Sequence, residues 1–96
     1  MLILISYDVS TETKEGRSRL RRIAKECVNH GVRVQNSVFE CYIQWGDFLH
    51  LKKRLISIMD KQLDSIRFYQ IGNKYENKVE HYGAKQTINP EEFLMI

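Results

Sequence analysis

Apolar positions recur along this chain at two spacings, and the alternation between them marks out the elements. Met1-Leu-Ile-Leu-Ile-Ser-Tyr7 is an aliphatic run of strand length, which predicts an interior strand with both faces against other elements, and Asp8 stands at its carboxyl end. In Val9-Ser-Thr-Glu-Thr13, Ser10, Thr11 and Thr13 are all possible helix N-caps. Leu20, Ile23, Ala24, Cys27 and Val28 then form the stripe of an amphipathic helix, with Gly31 suited to a left-handed C-cap that ends it. Val32–Gln35 and Val38–Ile43 read as a strand pair broken at Asn36-Ser37. Gly46-Asp47 opens a second helix, burying Phe48, Leu51, Leu55, Ile58 and Met59 and turning Lys52, Lys53 and Arg54 to solvent. Ile66–Ile71 is a fourth strand, closed by Gly72-Asn73.

The order βαββαβ predicts an α+β, ferredoxin-like sandwich: one antiparallel sheet with two helices on one face. Ninety-six residues suit a single domain with a core over about 1–72 and a tail over about 73–96. That tail holds a strand-like Val79-Glu-His-Tyr82 and an apolar end, Phe93-Leu-Met-Ile96. With the sheet complete by residue 72, the extra strand is expected to cross to the sheet edge of a second copy, making a homodimer.

No apolar run approaches the roughly 18 to 20 residues of a membrane span, and the N-terminal run lacks the marks of a signal peptide. The expectation is a soluble, cytoplasmic protein with no membrane partner. Cys27 and Cys41 lie among apolar neighbours and form no CxxC, so they read as packed thiols in a reducing compartment. His30, His50 and His81 are too scattered for a zinc site. A phosphate-ester enzyme of acylphosphatase type would want a Gly-rich loop after the first strand, and none lies between Val9 and Lys14.

Charge narrows the reading further. The net charge is only +3, but Lys14 to Arg33 carries seven basic residues against two acidic ones. Arg17, Arg19, Arg21, Arg22 and Lys25 crowd the first helix, and neighbours one turn apart repel unless an anion neutralises them. Arginine forks match phosphate oxygens two at a time, so the segment points to a polyanion, against the alternative of a solvated helix face. Asp8 is the acid best placed for hard-cation chemistry. It reads either as a turn cap or, in a two-fold dimer, as one of a pair of carboxylates sharing Mg²⁺ (or Mn²⁺), an ion that would activate water against a phosphodiester.

Met1–Val9 with its Tyr7-Asp8 ending, the Arg-rich helix, Arg33-Val-Gln-Asn-Ser37-Val38-Phe39-Glu40 and the late Lys78-Val-Glu-His81 together resemble the CRISPR-associated Cas2 family, the small partner of the spacer integrase. The likeness spans the chain, and the C-terminal part is similar to versions that accompany type I-C systems. The resemblance implies a ferredoxin-like homodimer with an exchanged C-terminal strand and metal-dependent endonuclease activity on RNA or double-stranded DNA. It also implies assembly with CRISPR integrase dimers during capture of foreign DNA. Under it, Asp8 is the metal-binding aspartate, one from each protomer, and Tyr7, Arg33, Ser37 and Phe39 belong to the catalytic cleft. Arg17, Arg19, Arg21, Arg22, Lys25 and Arg33 are the nucleic-acid contacts. The competing readings are a non-catalytic DNA-binding scaffold of the integrase complex and a toxin-like endoribonuclease.

Overall fold

In the computed structural model, which describes residues 1–71 and 78–84, strand β1 (Leu2–Asp8) is the centre of the sheet. Helix α1 (Lys14–Val28), strands β2 (Gly31–Gln35) and β3 (Val38–Tyr42), helix α2 (Trp45–Ile58) and strands β4 (Ser65–Ile71) and β5 (Lys78–Gly83) follow. All pairings are antiparallel, in the order β2-β3-β1-β4-β5. The βαββαβ expectation therefore holds, with a fifth strand added at the edge.

Two-residue alternation sorts β1 cleanly. Ile3, Ile5 and Tyr7 are buried and meet Cys41, Phe39 and Ile66 on the neighbouring strands and Ile23, Cys27, Phe48, Leu51 and Leu55 on the helices. Burying each large side chain of this kind contributes about 1.5–3 kcal/mol, which makes this face the main source of stability. Phe48 sets its edge against Phe68 at 5.6 Å, and Phe68 against Tyr82 at 6.0 Å, so the core runs from α2 to β5 through aromatic edges. Leu2, Leu4, Ser6 and Asp8 point to the opposite face, where Val32 and Tyr42 are 67% and 72% exposed.

Four local features stand out. Within the single chain the fifth strand lies along β4, Tyr69 opposite Val79 and Arg67 opposite His81. Lys52 on α2 reinforces the pairing through Glu80 at 3.2 Å. Secondly, Gly31 is no left-handed cap: α1 ends at Asn29 in right-handed geometry, and Gly31 already pairs with Cys41 in the sheet. Thirdly, α2 starts at Trp45, ahead of Gly46. Lastly, the basic triplet of α2 is not merely solvated, since Lys52 lies 5.3 Å from the Phe48 ring centre and Arg54 pairs with Glu26. Phe93–Ile96 lies outside the described residues.

Thr13 proves to be the N-cap of α1, its hydroxyl accepting from the Gly16 amide at 3.0 Å. Beside it sits an acid that the sequence pattern did not mark. Asp64, fully buried ahead of β4, accepts from Arg19 Nε at 2.7 Å and Nη2 at 3.3 Å. Its two oxygens also take the backbone amides of Ser10 at 3.1 Å and Asp60 at 2.9 Å. Burial pushes the Asp64 carboxyl up, but the Arg19 guanidinium and these amides outweigh it and hold the group below the usual carboxylate range. Two glycines make the crowding possible: a side chain at Gly16 would run into the Ser10 carbonyl, and one at Gly83, whose φ is +118°, into the Asp64 carbonyl.

Removing this carboxylate orphans a mostly buried guanidinium and two amides. Asp64→Ala should lower unfolding free energy by about 3 kcal/mol in urea titration, the low end for breaking a buried pair because Arg19 keeps some solvent access. The folded-state shift is downward, so the stabilisation is present above the unfolded carboxylate value of about 4 and is lost as pH falls through the lower folded value. Acid titration of Asp64→Asn should lack that component.

Candidate functional site

The strand end that carries Asp8 also gathers the hairpin joining β2 and β3. Asn36 and Ser37 form its two-residue turn. Among the described residues no non-glycine has positive φ, so the turn is not of the mirror-image type usual for such loops, and a register shift between Arg33 and Gln35 absorbs the mismatch. The hairpin is tied to β1 by the Tyr7 amide, which donates to the Ser37 carbonyl at 3.0 Å, and by the Tyr7 hydroxyl, which donates to the Asn36 carbonyl at 3.4 Å. Tyr7 stacks on Phe39 with ring centres 6.1 Å apart, and the exposed Arg33 lays its guanidinium 5.2 Å from the Phe39 centre. Burial raises the Tyr7 phenol above its ordinary value, with the nearby Cys27 adding to the effect and Arg33 opposing it. At neutral pH the phenol keeps its proton and can only donate or accept a hydrogen bond.

Tyr7, Asp8, Arg33, Ser37 and Phe39 are thus brought to one end of the sheet, but not to one face. Tyr7, Phe39 and Arg33 belong to the helix-covered side, where Tyr7 and Phe39 are buried packing. Asp8 turns the other way and is exposed. On Asp8's side, pairing sets Ser65 directly beside it and Arg67 beside Ser6, one row along. Arg67 Nε donates to His81 Nδ1 at 3.0 Å, which leaves the imidazole proton on Nε2, and that atom is buried without a partner among the described residues. Arg67 is a cation near Asp8 that the sequence reading passed over; its signal was a charged residue at the third position of an otherwise uncharged strand.

The helix arginines separate into distinct groups. Arg19 is turned inward onto Asp64, so its guanidinium is committed to the fold. Arg17, also on the outer surface, donates to the Thr11 carbonyl at 3.2 Å, while Arg21, Arg22 and Lys25 are exposed. Arg54, which the sequence reading placed in solvent, pairs at two points with Glu26 of α1 and joins this surface.

Among the described residues no three His, Cys, Asp or Glu side chains come together as a metal site. Cys27 and Cys41 are buried as expected, and burial pushes their thiols up to about 12 and about 11, leaving them unreactive. No helix among the described residues is long and apolar enough to cross a membrane.

Comparison with known proteins places these features in a family. The family described as "CRISPR associated protein Cas2" matches residues 1–79. A protein of Nitratidesulfovibrio vulgaris named CRISPR-associated endoribonuclease Cas2 is 54% identical over all of this chain and 94% of its own length. One of Halalkalibacterium halodurans, named CRISPR-associated endonuclease Cas2, is 50% identical over 99% of both chains. Among solved structures, Streptococcus pyogenes Cas2 at pH 6.5 superposes with a TM-score of 0.71 at 53% identity, covering 78% of this chain and 90% of that one. A hypothetical protein from Thermus thermophilus gives 0.65 at 29% identity, covering 78% and 85%. With its sheet order, its Tyr7-Asp8 strand end and full-length relatives at half identity or better, this chain belongs to the Cas2 family.

Proposed function

We propose that this chain is the subunit of a homodimeric, divalent-metal-dependent endonuclease that cleaves phosphodiesters of RNA or double-stranded DNA and acts with integrase dimers in CRISPR spacer adaptation. The observation that carries the reading is the exposed carboxylate of Asp8 at the end of a fully supported interior strand, with Arg67 one row away. The nuclease names of the N. vulgaris and H. halodurans relatives support it.

The donor chemistry of Asp8 fits Mg²⁺ or Mn²⁺: it is a hard oxygen ligand, exposed, on a rigid element, and Mg²⁺ is usually held by only one or two carboxylates while keeping its waters. Asp8 would hold the ion, with a second Asp8 from the partner copy. When bound, such an ion supplies Lewis-acid polarisation and lowers the pKa of a coordinated water. The chain's own groups orient the substrate. Arg33, over the Phe39 ring, and the exposed arginines of α1 offer forked donors to phosphate oxygens. Tyr7 and Ser37 hold the hairpin against β1 so that Arg33 keeps its place. A second copy finds support in the sheet face away from the helices, where Leu2 and Leu4 are only half-covered and Val32 and Tyr42 are exposed.

Asp8→Asn keeps the size of an exposed side chain, so it should leave the chain folded while cutting Mg²⁺-dependent cleavage of RNA or duplex DNA by about a hundredfold or more. Cleavage at the parental rate would refute the nuclease reading, and spacer integration persisting in that variant would favour the scaffold role. Arg33→Ala should weaken binding of a nucleic acid across sequences and reduce the slope of log affinity against log salt by about one, as loss of one phosphate contact does.

A further inference from the structure

A second cationic site lies on the helical layer, on the other side of the sheet from Asp8. The C-terminal halves of α1 and α2 enclose a cleft of about 310 Å³, lined by Arg22, Lys25 and Glu26 from one helix and Arg54, Ser57 and Ile58 from the other. That volume is at the lower end of the range for small-ligand pockets. Three cations face one carboxylate. Glu26 takes two hydrogen bonds from Arg54, Nε to Oε2 at 3.0 Å and Nη2 to Oε1 at 2.5 Å. The guanidinium of Arg54, with His30 and Lys25 nearby, holds the Glu26 carboxyl below its ordinary range. The cleft thus already seats one anion supplied by the chain itself.

Among the described residues neither Arg22 nor Lys25 makes a hydrogen bond or an ion pair, and Lys25 meets Glu26 only through the field of its charge. Cations near a helix C-terminus are favoured by about 0.3–1 kcal/mol, which accounts for Lys25 in the last turn of α1. It does not account for Arg22, which precedes that turn, nor for Arg54, since α2 has no basic residue in its last turn. Bringing these side chains to opposite walls of one cleft costs repulsion unless a further anion enters. Arg54 has spent Nε and Nη2 on Glu26 and keeps its Nη1 donors. Ile58 supplies an apolar patch beside them.

We infer that this cleft binds one phosphate group, held by Arg22 and Lys25 from α1 and by the remaining donors of Arg54 from α2. A phosphate suits the surplus better than a carboxylate: it carries one to two charges and three acceptor oxygens against a cleft with two charges to spare. The group belongs either to a free phosphate compound or to a nucleic-acid backbone crossing the helical layer. The inference deepens the proposed phosphate contacts of α1 by giving two of its cations one defined site shared with Arg54 of α2, and because that site does not use Asp8 it survives a failure of the metal-dependent cleavage reading.

The test uses the full chain, with amide chemical shifts followed by NMR during titration with inorganic phosphate, AMP and a short DNA duplex. Saturable shifts should centre on Arg22, Lys25, Arg54 and Ser57. Affinity should fall about tenfold in Arg22→Gln and in Arg54→Gln, and rise in Glu26→Gln, which removes the competing carboxylate. Asp8→Asn should leave these affinities unchanged. Displacement of AMP by the duplex assigns the phosphate to a backbone; saturation by AMP with no displacement assigns it to a free compound. Non-saturating shifts spread over the whole basic surface, or affinities unmoved in all three cleft variants, overturn the site.

Discussion

A buried carboxylate closes this fold. Taking an ionised Asp64 out of water costs several kcal/mol, and the structure offsets that cost only by aiming four donors at it from three separate parts of the chain. The same residue's carbonyl accepts from the Ala84 amide at 2.9 Å, so the end of β5 is drawn to the same point. The loop leaving β1, the first turns of α1, the approach to β4 and the exit from β5 all converge there. The close approach of Gly16 and Gly83 follows, because a side chain at either position would displace the backbone that Asp64 organises.

Holding that loop also settles where Asp8 emerges. β1 is paired along its whole length with β4 and from Leu2 to Ser6 with β3, and the loop that follows it is held where the Ser10 amide donates to Asp64. Alternation along the strand then divides the candidate residues by task. Tyr7 and Phe39 face inward and make a rigid support on which Arg33 rests, and Asp8 faces outward beside the row of Ser6, Arg67 and His81. Recognition and chemistry are built on the sheet, with the hairpin fastened to it by two hydrogen bonds, and this is the more accurate way to hold a reactive constellation.

The basic residues that look alike in the sequence perform unlike work. Arg19 is a structural counter-ion, Lys52 fastens β5 to α2, and Arg54 spans the two helices. What remains exposed on α1 (Lys14, Arg17, Arg21, Arg22 and Lys25) is a smaller positive field than the run of charges implied, and two of its members line the interhelical cleft. Exposed surface pairs contribute little to stability, so these side chains are free to be judged by what they bind.

Hydrophobic spacing alone determined the element order, the interior position of β1, the sheltered cysteines and the buried faces of both helices except at Val28, which ends the α1 stripe yet is 56% exposed, because burial periodicity is written locally in which side chains repeat every two or every three to four residues. The Tyr7-Asp8 and Arg33 to Phe39 segments were legible for the same reason: each is contiguous, and a hairpin brings the second to the first. The partners of Arg19, Lys52, Arg54 and Arg67 were not, since their acceptors lie 14 to 45 residues away and a charge carries no mark of which opposite it will meet. Tertiary structure likewise exchanged a left-handed cap at Gly31 for a strand start. An acid such as Asp64 reads as an ordinary loop residue until the chain closes around it, because only the assembled fold supplies the donors that make its burial affordable.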